Sequence, residues 1–325
     1  MVYADDCSVR DHKRRYAVAK VLARLAPPLQ IEVDAAVSHT APLPAANHHV
    51  VPRFLLRNWS EDGRNVYAIW ETRSQKVRQV GIGHATAAPN LNRLSVFSRS
   101  DPDRVEQFFA SIEGRAARVL RRFYASWTRI SHEDEAALCL LLSLQMIRSG
   151  EGRELLYRRI EASIDDRAAY DGLVREKINE ARANGNLTWA TSVEFINLMT
   201  RAAERKHLLA DLLLLDSVEV LIRRSASFAG GHWCINTVNP PLLFSDHLVV
   251  QIPTNHSLYV MPIGRDRLLA WCDDRGLYSV WPEGAFGYTT GVNERIARHA
   301  AWWVGGSWGD QEFLAAMVRQ VRADL

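Results

Sequence analysis

The chain has 325 residues, 47% of them hydrophobic and 24% charged, and its 40 Lys and Arg against 37 Asp and Glu leave a net charge of +3. This composition excludes a largely disordered chain. The charge is too small for non-specific nucleic-acid binding to be the main activity, since such binding scales with the phosphates neutralised. No apolar run approaches the ~20 residues that a membrane span needs: Ala136 to Ile147 and Leu208 to Leu215 are short and interrupted by Gln145 and Asp211.

Ser8 to Ala26 predicts a basic amphipathic helix, stopped by Pro27 and Pro28. Gln30 to Ala46, with Pro42 and Pro44 among small residues, predicts an extended arm able to reach a second subunit. Residues 1–46 therefore read as a helix and arm appended to a single domain over 47–325. Asn65–Trp70 and Lys76–Val80 predict a hairpin. Asp101 and Pro102, as N-cap and first helical residue, open a helix to about Ala125. Ser131 with Asp134 resembles a capping box and opens a second, to about Ser149. More helix is expected over Glu151–Ala183 and Trp189–Leu215. After Asp216 come short apolar runs, Val218–Ile222, Trp233–Val238, Leu242–Phe244, Leu248–Ile252, Leu258–Ile263 and Leu268–Trp271, which predict an antiparallel meander. Two helices close the chain, Val292–Val304 with Gly305 and Gly306 as its C-cap, and Gln311–Ala323. The fold class is α+β, a central helical bundle packed against a mostly antiparallel sheet formed by the N-terminal hairpin and the C-terminal meander.

Cys7, Cys139, Cys234 and Cys272 are scattered, without a C-x-x-C pair. That usage fits a reducing compartment, and Ala17–Ala26 is broken by Lys20 and Arg24 where a secretory segment would be apolar; the cytoplasm is the expected location. No H-E-x-x-H, G-x-S-x-G, Walker A or G-x-G-x-x-G signature is present, which argues against zincins, α/β-hydrolases, P-loop enzymes and Rossmann oxidoreductases.

The candidate site residues are polar groups set against the apolar pattern. Gln145 and Arg148 share one face of the helix over 131–149, which is otherwise apolar nearly all round from Ala136 to Ile147 and so reads as buried. Buried polar groups need partners, so these two belong to a carboxylate pairing between helices or to a ligand site, unless Arg148 is exposed at the helix end. Glu113 borders the apolar stripe of the preceding helix and is the expected partner of Arg148. Asp246 follows a strand-like run, as a turn former or a site residue. His48 and His49 precede V-V-P-R-F-L-L, and a histidine is a natural acid or base near neutrality. Most of the ten Trp read as core.

H-V-V-P-R-F-L-L-R-N-W over 49–59, S-I-E over 111–113, Q-M-I-R over 145–148, F-S-D over 244–246 and V-N-E-R-I-A with A-W-W-V between 292 and 304 occur in an order that resembles the bacterial domain of unknown function 4238 family. The resemblance spans roughly Asn47 to Val304. It selects His49 over His48 and implies that His49, Glu113, Gln145, Arg148 and Asp246 converge. The expected function is an enzyme on a phosphate-containing substrate, nucleotide or nucleic acid, with His49, Glu113 and Asp246 as catalytic groups and Gln145, Arg148 and Arg53 holding the substrate. No cofactor is expected, although two carboxylates and a histidine also form a donor set for a divalent metal. The alternatives are a binding or regulatory module in which the same residues are a structural polar network, and an enzyme acting on a small carboxylate.

Overall fold

A computed structural model describes residues 3–25, 47–62, 65–71, 76–95, 101–125, 130–149, 158, 162, 166–183, 205–253, 257–273 and 286–323. The expected arm over 30–46 and the first parts of the helices expected over 151–183 and 189–215 fall outside them. The described elements are α1 (Tyr3–Leu25), β1 (Asn47–His49), α2 (Arg53–Leu56), β2 (Asn65–Glu71), β3 (Val77–Gly81), β4 (Ala87–Pro89), α3 (Arg104–Ala125), α4 (His132–Ile147), α5 (Arg167–Ala183) and α6 (Arg205–Ser227). They continue with β5 (His232–Thr237), β6 (Phe244–Ser245), β7 (Val250–Pro253), β8 (Ser257–Gly264), β9 (Arg267–Cys272), α7 (Phe286–His299), β10 (Trp303–Ser307) and α8 (Gln311–Ala323). The class is α+β, with antiparallel sheets.

At the centre lies α4, every residue of which from Glu135 to Gln145 is buried. Its N-terminus is fixed locally, because Ser131 Oγ accepts from the Asp134 N–H at 3.1 Å. Around it pack α1, α3 and α6. Val18, Val21 and Leu22 of α1 join the same core as Phe109, Ile112, Val119 and Leu140. Arg14 of α1 donates to the buried Glu135 at 2.7 Å, and Glu135 also accepts the Gly230 N–H at 2.7 Å. Gly230 has a φ of +81° and the Arg15 side chain lies where its Cβ would project.

The meander β5-β9-β8-β7 is a four-stranded antiparallel sheet whose central strands β8 and β9 are buried on both faces. Along β9, Leu269 and Trp271 enter the helical core, while Leu268, Ala270 and Cys272 enter a second core with Val292, Ile296, Leu314 and Val318 of α7 and α8. Burial on both sides explains why these strands read as continuous apolar runs. The hairpin β2–β3, expected to share a sheet with the meander, lies instead in a second sheet of order β3-β2-β10-β6.

Two local expectations are corrected. Val218–Ile222 is not a strand but part of α6: Val218, Leu221 and Ser225 are buried at helical spacing, so packing overrides the β-branched run. The helix expected to reach Val304 stops at His299, and 303–307 form β10 between β2 and β6. Gly305 is therefore no helix cap. A Cβ there would come within 2.5 Å of the Phe244 ring, so glycine lets the strand lie against that ring.

Candidate functional site

The motif over 49–59 performs two tasks. Its C-terminal part locks the chain to the sheets: the Trp59 indole donates to the Leu242 carbonyl at 2.8 Å, Asn58 donates to the Ile263 carbonyl at 2.6 Å, and Leu55 and Leu56 are fully buried. Its N-terminal part presents polar groups. His48 and His49 lie on β1, paired with β4, and both are buried. Arg53, on the first turn of α2, is exposed and donates from Nε to His49 Nε2 at 3.2 Å. His49 Nε2 is thus an acceptor, and the imidazole is neutral in this arrangement. Burial and then the Arg53 charge hold its pKa below the ordinary histidine value, against backbone hydrogen bonds with Ile82 and Gly83 that act in the other direction.

His48 faces a larger cluster. Its Nδ1 accepts the Asn92 N–H at 2.7 Å, and its Nε2 lies 3.8 Å from Asp103 Oδ1, which also pairs with Arg93 at 3.3 Å. Burial lowers its pKa, opposed by Glu106 and Asp103. Glu106 accepts from Asn92 Nδ2 at 2.6 Å and from Arg148 Nη2 at 3.5 Å, while Arg148 Nη1 donates to Glu113. Arg148 Cζ also sits 4.8 Å from the centre of the Phe109 ring. The expected cross-helix contact between Glu113 and Arg148 is therefore present. The Arg148 side chain is only 1% exposed, and two carboxylates flank its charge. Burial pushes the Glu113 carboxyl above the usual carboxylate range even though Arg148 pulls it down.

The structure gathers the expected residues only in part. His49 with Arg53, and Glu113 with Arg148, are in contact; Glu106 is the carboxylate whose charge both histidines feel. Gln145 is buried on α4, and its Nε2 has no hydrogen-bond partner among the described residues. Asp246 stands apart. Its oxygens accept the N–H groups of Ala301, Trp302 and Trp303 at 3.0 to 3.3 Å, so it fixes the connection between α7 and β10. Among the described residues it forms no hydrogen bond or ion pair with His49, Glu113 or Arg148. Burial raises its pKa against those three backbone donors.

Sequence reasoning set His48 aside in favour of His49 and missed Asn92, Arg93, Asp103 and Glu106. Glu106 carried a usable signal: it precedes Phe109 by three residues and Glu113 by seven, the spacing of one helix face. Asn92, Arg93 and Asp103 come from loops, where no period announces them. Among the described residues, no group of three or more His, Cys, Asp or Glu is placed to hold a metal ion, and no helix is long and apolar enough to cross a membrane.

No curated protein and no solved structure matches this chain. A family model does, over residues 47–275, a span that takes in β1, the helices α3 to α6 and the meander but not α1. The chain belongs to the family described as protein of unknown function (DUF4238).

Proposed function

We propose that this chain is a hydrolase acting on a phosphate-containing substrate, nucleotide or nucleic acid, at the His49–Arg53 end of the polar cluster. The observation that carries this reading is the exposed Arg53 guanidinium hydrogen-bonded to a buried, neutral imidazole. A substrate phosphate competes for Arg53, since a guanidinium matches phosphate oxygens in a bidentate way. Its transfer to phosphate frees the His49 Nε2 lone pair to take a proton from the attacking hydroxyl or water. Glu106, partly exposed and electrostatically linked to both histidines, is the second proton-transfer group. Arg148, enclosed and already paired, holds Glu106 and Glu113 in place rather than binding the phosphate itself.

The test is turnover of mixed RNA and DNA pools and of nucleotides, with and without divalent metal, by wild type and by His49→Gln and Arg53→Ala. The reading requires that both substitutions abolish turnover while the melting temperature is kept. The burial and double pairing of Arg148 favour a second reading, a non-catalytic module whose network is structural. A well-folded wild type with no turnover on any of these substrates selects it.

A further inference from the structure

α3 separates its charges by sign. Its two buried-side carboxylates, Glu106 and Glu113, face Arg148, and its apolar stripe, Val105, Phe109, Ile112, Ala116, Val119 and Leu120, is buried. On the solvent side stand Arg115, Arg118, Arg121 and Arg122, all exposed, and none of the exposed residues of α3 is acidic. Arg122 pairs with Asp134, and Arg121 Nε donates to the Ala117 carbonyl at 3.3 Å. Arg115 and Arg118 have no hydrogen bond or ion pair among the described residues. The stripe ends at α4, where Arg122 meets Asp134 and Arg24 of α1 lies 3.6 Å from Glu133.

We infer that this face is a docking surface for the sugar-phosphate backbone of a nucleic acid. A chain whose net charge is only +3 concentrates four exposed arginines here with no exposed acid on α3, and of the four only Arg122 is paired with a carboxylate, that of Asp134, among the described residues. From Arg115 to Arg122 the helix advances about 10 Å, which faces several phosphates at roughly one charge per 3.4 Å of a strand. The residues are arginine, which grips phosphate oxygens in pairs. An anionic bilayer is the weaker fit, since a membrane-seated helix also needs large apolar side chains on its outer face, and none is exposed on α3 among the described residues. The inference rests on the preceding reading only in taking a nucleic acid as the ligand.

The experiment is fluorescence anisotropy of the full chain with labelled single-stranded RNA, single-stranded DNA and duplex DNA over a salt series. It compares wild type with Arg115→Glu/Arg118→Glu, with the milder Arg115→Gln/Arg118→Gln, and with Arg175→Gln. Loss of two phosphate contacts makes the dependence of log affinity on log salt shallower by roughly 1.4 to 1.8 and weakens low-salt binding at least about tenfold, with the melting temperature unchanged. Arg175→Gln, which removes an exposed arginine of α5 away from the stripe, keeps full binding. Equal affinity in wild type and both arginine variants, or no binding by wild type, overturns the inference, as does binding to phosphatidylserine vesicles alone. Binding that depends on the stripe without any turnover refutes the hydrolase and keeps the surface; turnover with wild-type affinity in both arginine variants does the reverse.

Discussion

The two ends of α4 carry buried ion pairs that differ in completeness. At the N-terminal end Glu135 takes one hydrogen bond from Arg14 and one from the Gly230 N–H, and so ties α1 and the chain after α6 to the bundle. Near the C-terminal end Arg148 is shared between Glu113 and Glu106, and among the described residues neither its Nε nor the Gln145 amide nitrogen nearby in sequence has a hydrogen-bond partner. The first arrangement is closed, as expected of a structural pin. The second combines a carboxyl of raised pKa with two neutral histidines and an exposed arginine, the mixture of perturbed groups that marks functional sites.

Five substitutions or conditions break or sharpen that contrast. Arg148→Ala has the largest effect, a loss of about 3 kcal/mol in unfolding free energy, the low end for a broken buried pair because the Glu113 side chain left without its cation is 20% exposed; denaturant titration measures it, and a loss near zero removes the claim that the pair is buried in energetic terms. Next comes Glu135→Ala, which strands the Gly230 N–H and Arg14 and lowers stability by about 1 to 3 kcal/mol without altering turnover. Asp246→Ala belongs with it: loss of the acceptor for Ala301, Trp302 and Trp303 lowers stability by about 1 to 3 kcal/mol and spares turnover, whereas a folded variant without turnover would restore Asp246 to the site.

Acid titration probes the open end more gently. His48 and His49 have folded pKa values below the ordinary 6.5, so the unfolded chain binds protons first. Stability is complete above about 6.5 and falls as pH drops from there through the lower folded values. Melting curves of the double variant His48→Gln/His49→Gln should lose that slope relative to wild type. The Glu113 shift acts oppositely, lowering stability as pH rises from the ordinary carboxylate value towards its raised one. Arg53→Ala is smallest in stability, within about 0.5 kcal/mol for an exposed side chain, yet on the proposed mechanism it abolishes turnover.

Much of this was legible in the residues. α4 was legible because an all-round apolar stretch between Ala136 and Ile147 makes Gln145 within it and Arg148 just beyond it conspicuous, and the Glu113–Arg148 contact followed from the need to satisfy a buried guanidinium. Asp246 was ambiguous, because a carboxylate after a strand serves equally as a turn former or a site residue; the N–H groups it holds lie more than fifty residues away in sequence. β10 was misread for a related reason. Trp303 to Ser307 follow a helix and continue its apolar texture, and only the non-local offer of β2 and β6 on either side makes an extended chain the better state.

The sequence by itself determined the periodic elements, the buried central helix, the family and the polar residues that need partners, because period, capping and desolvation act within one segment or within one turn. Tertiary structure alone decided the partition of the strands into separate sheets, the entry of His48 into the cluster beside Glu106, and the withdrawal of Asp246 to the α7–β10 connection. Those outcomes depend on which distant backbone and side-chain groups meet, and pairing energies across long sequence separations leave no period in the chain.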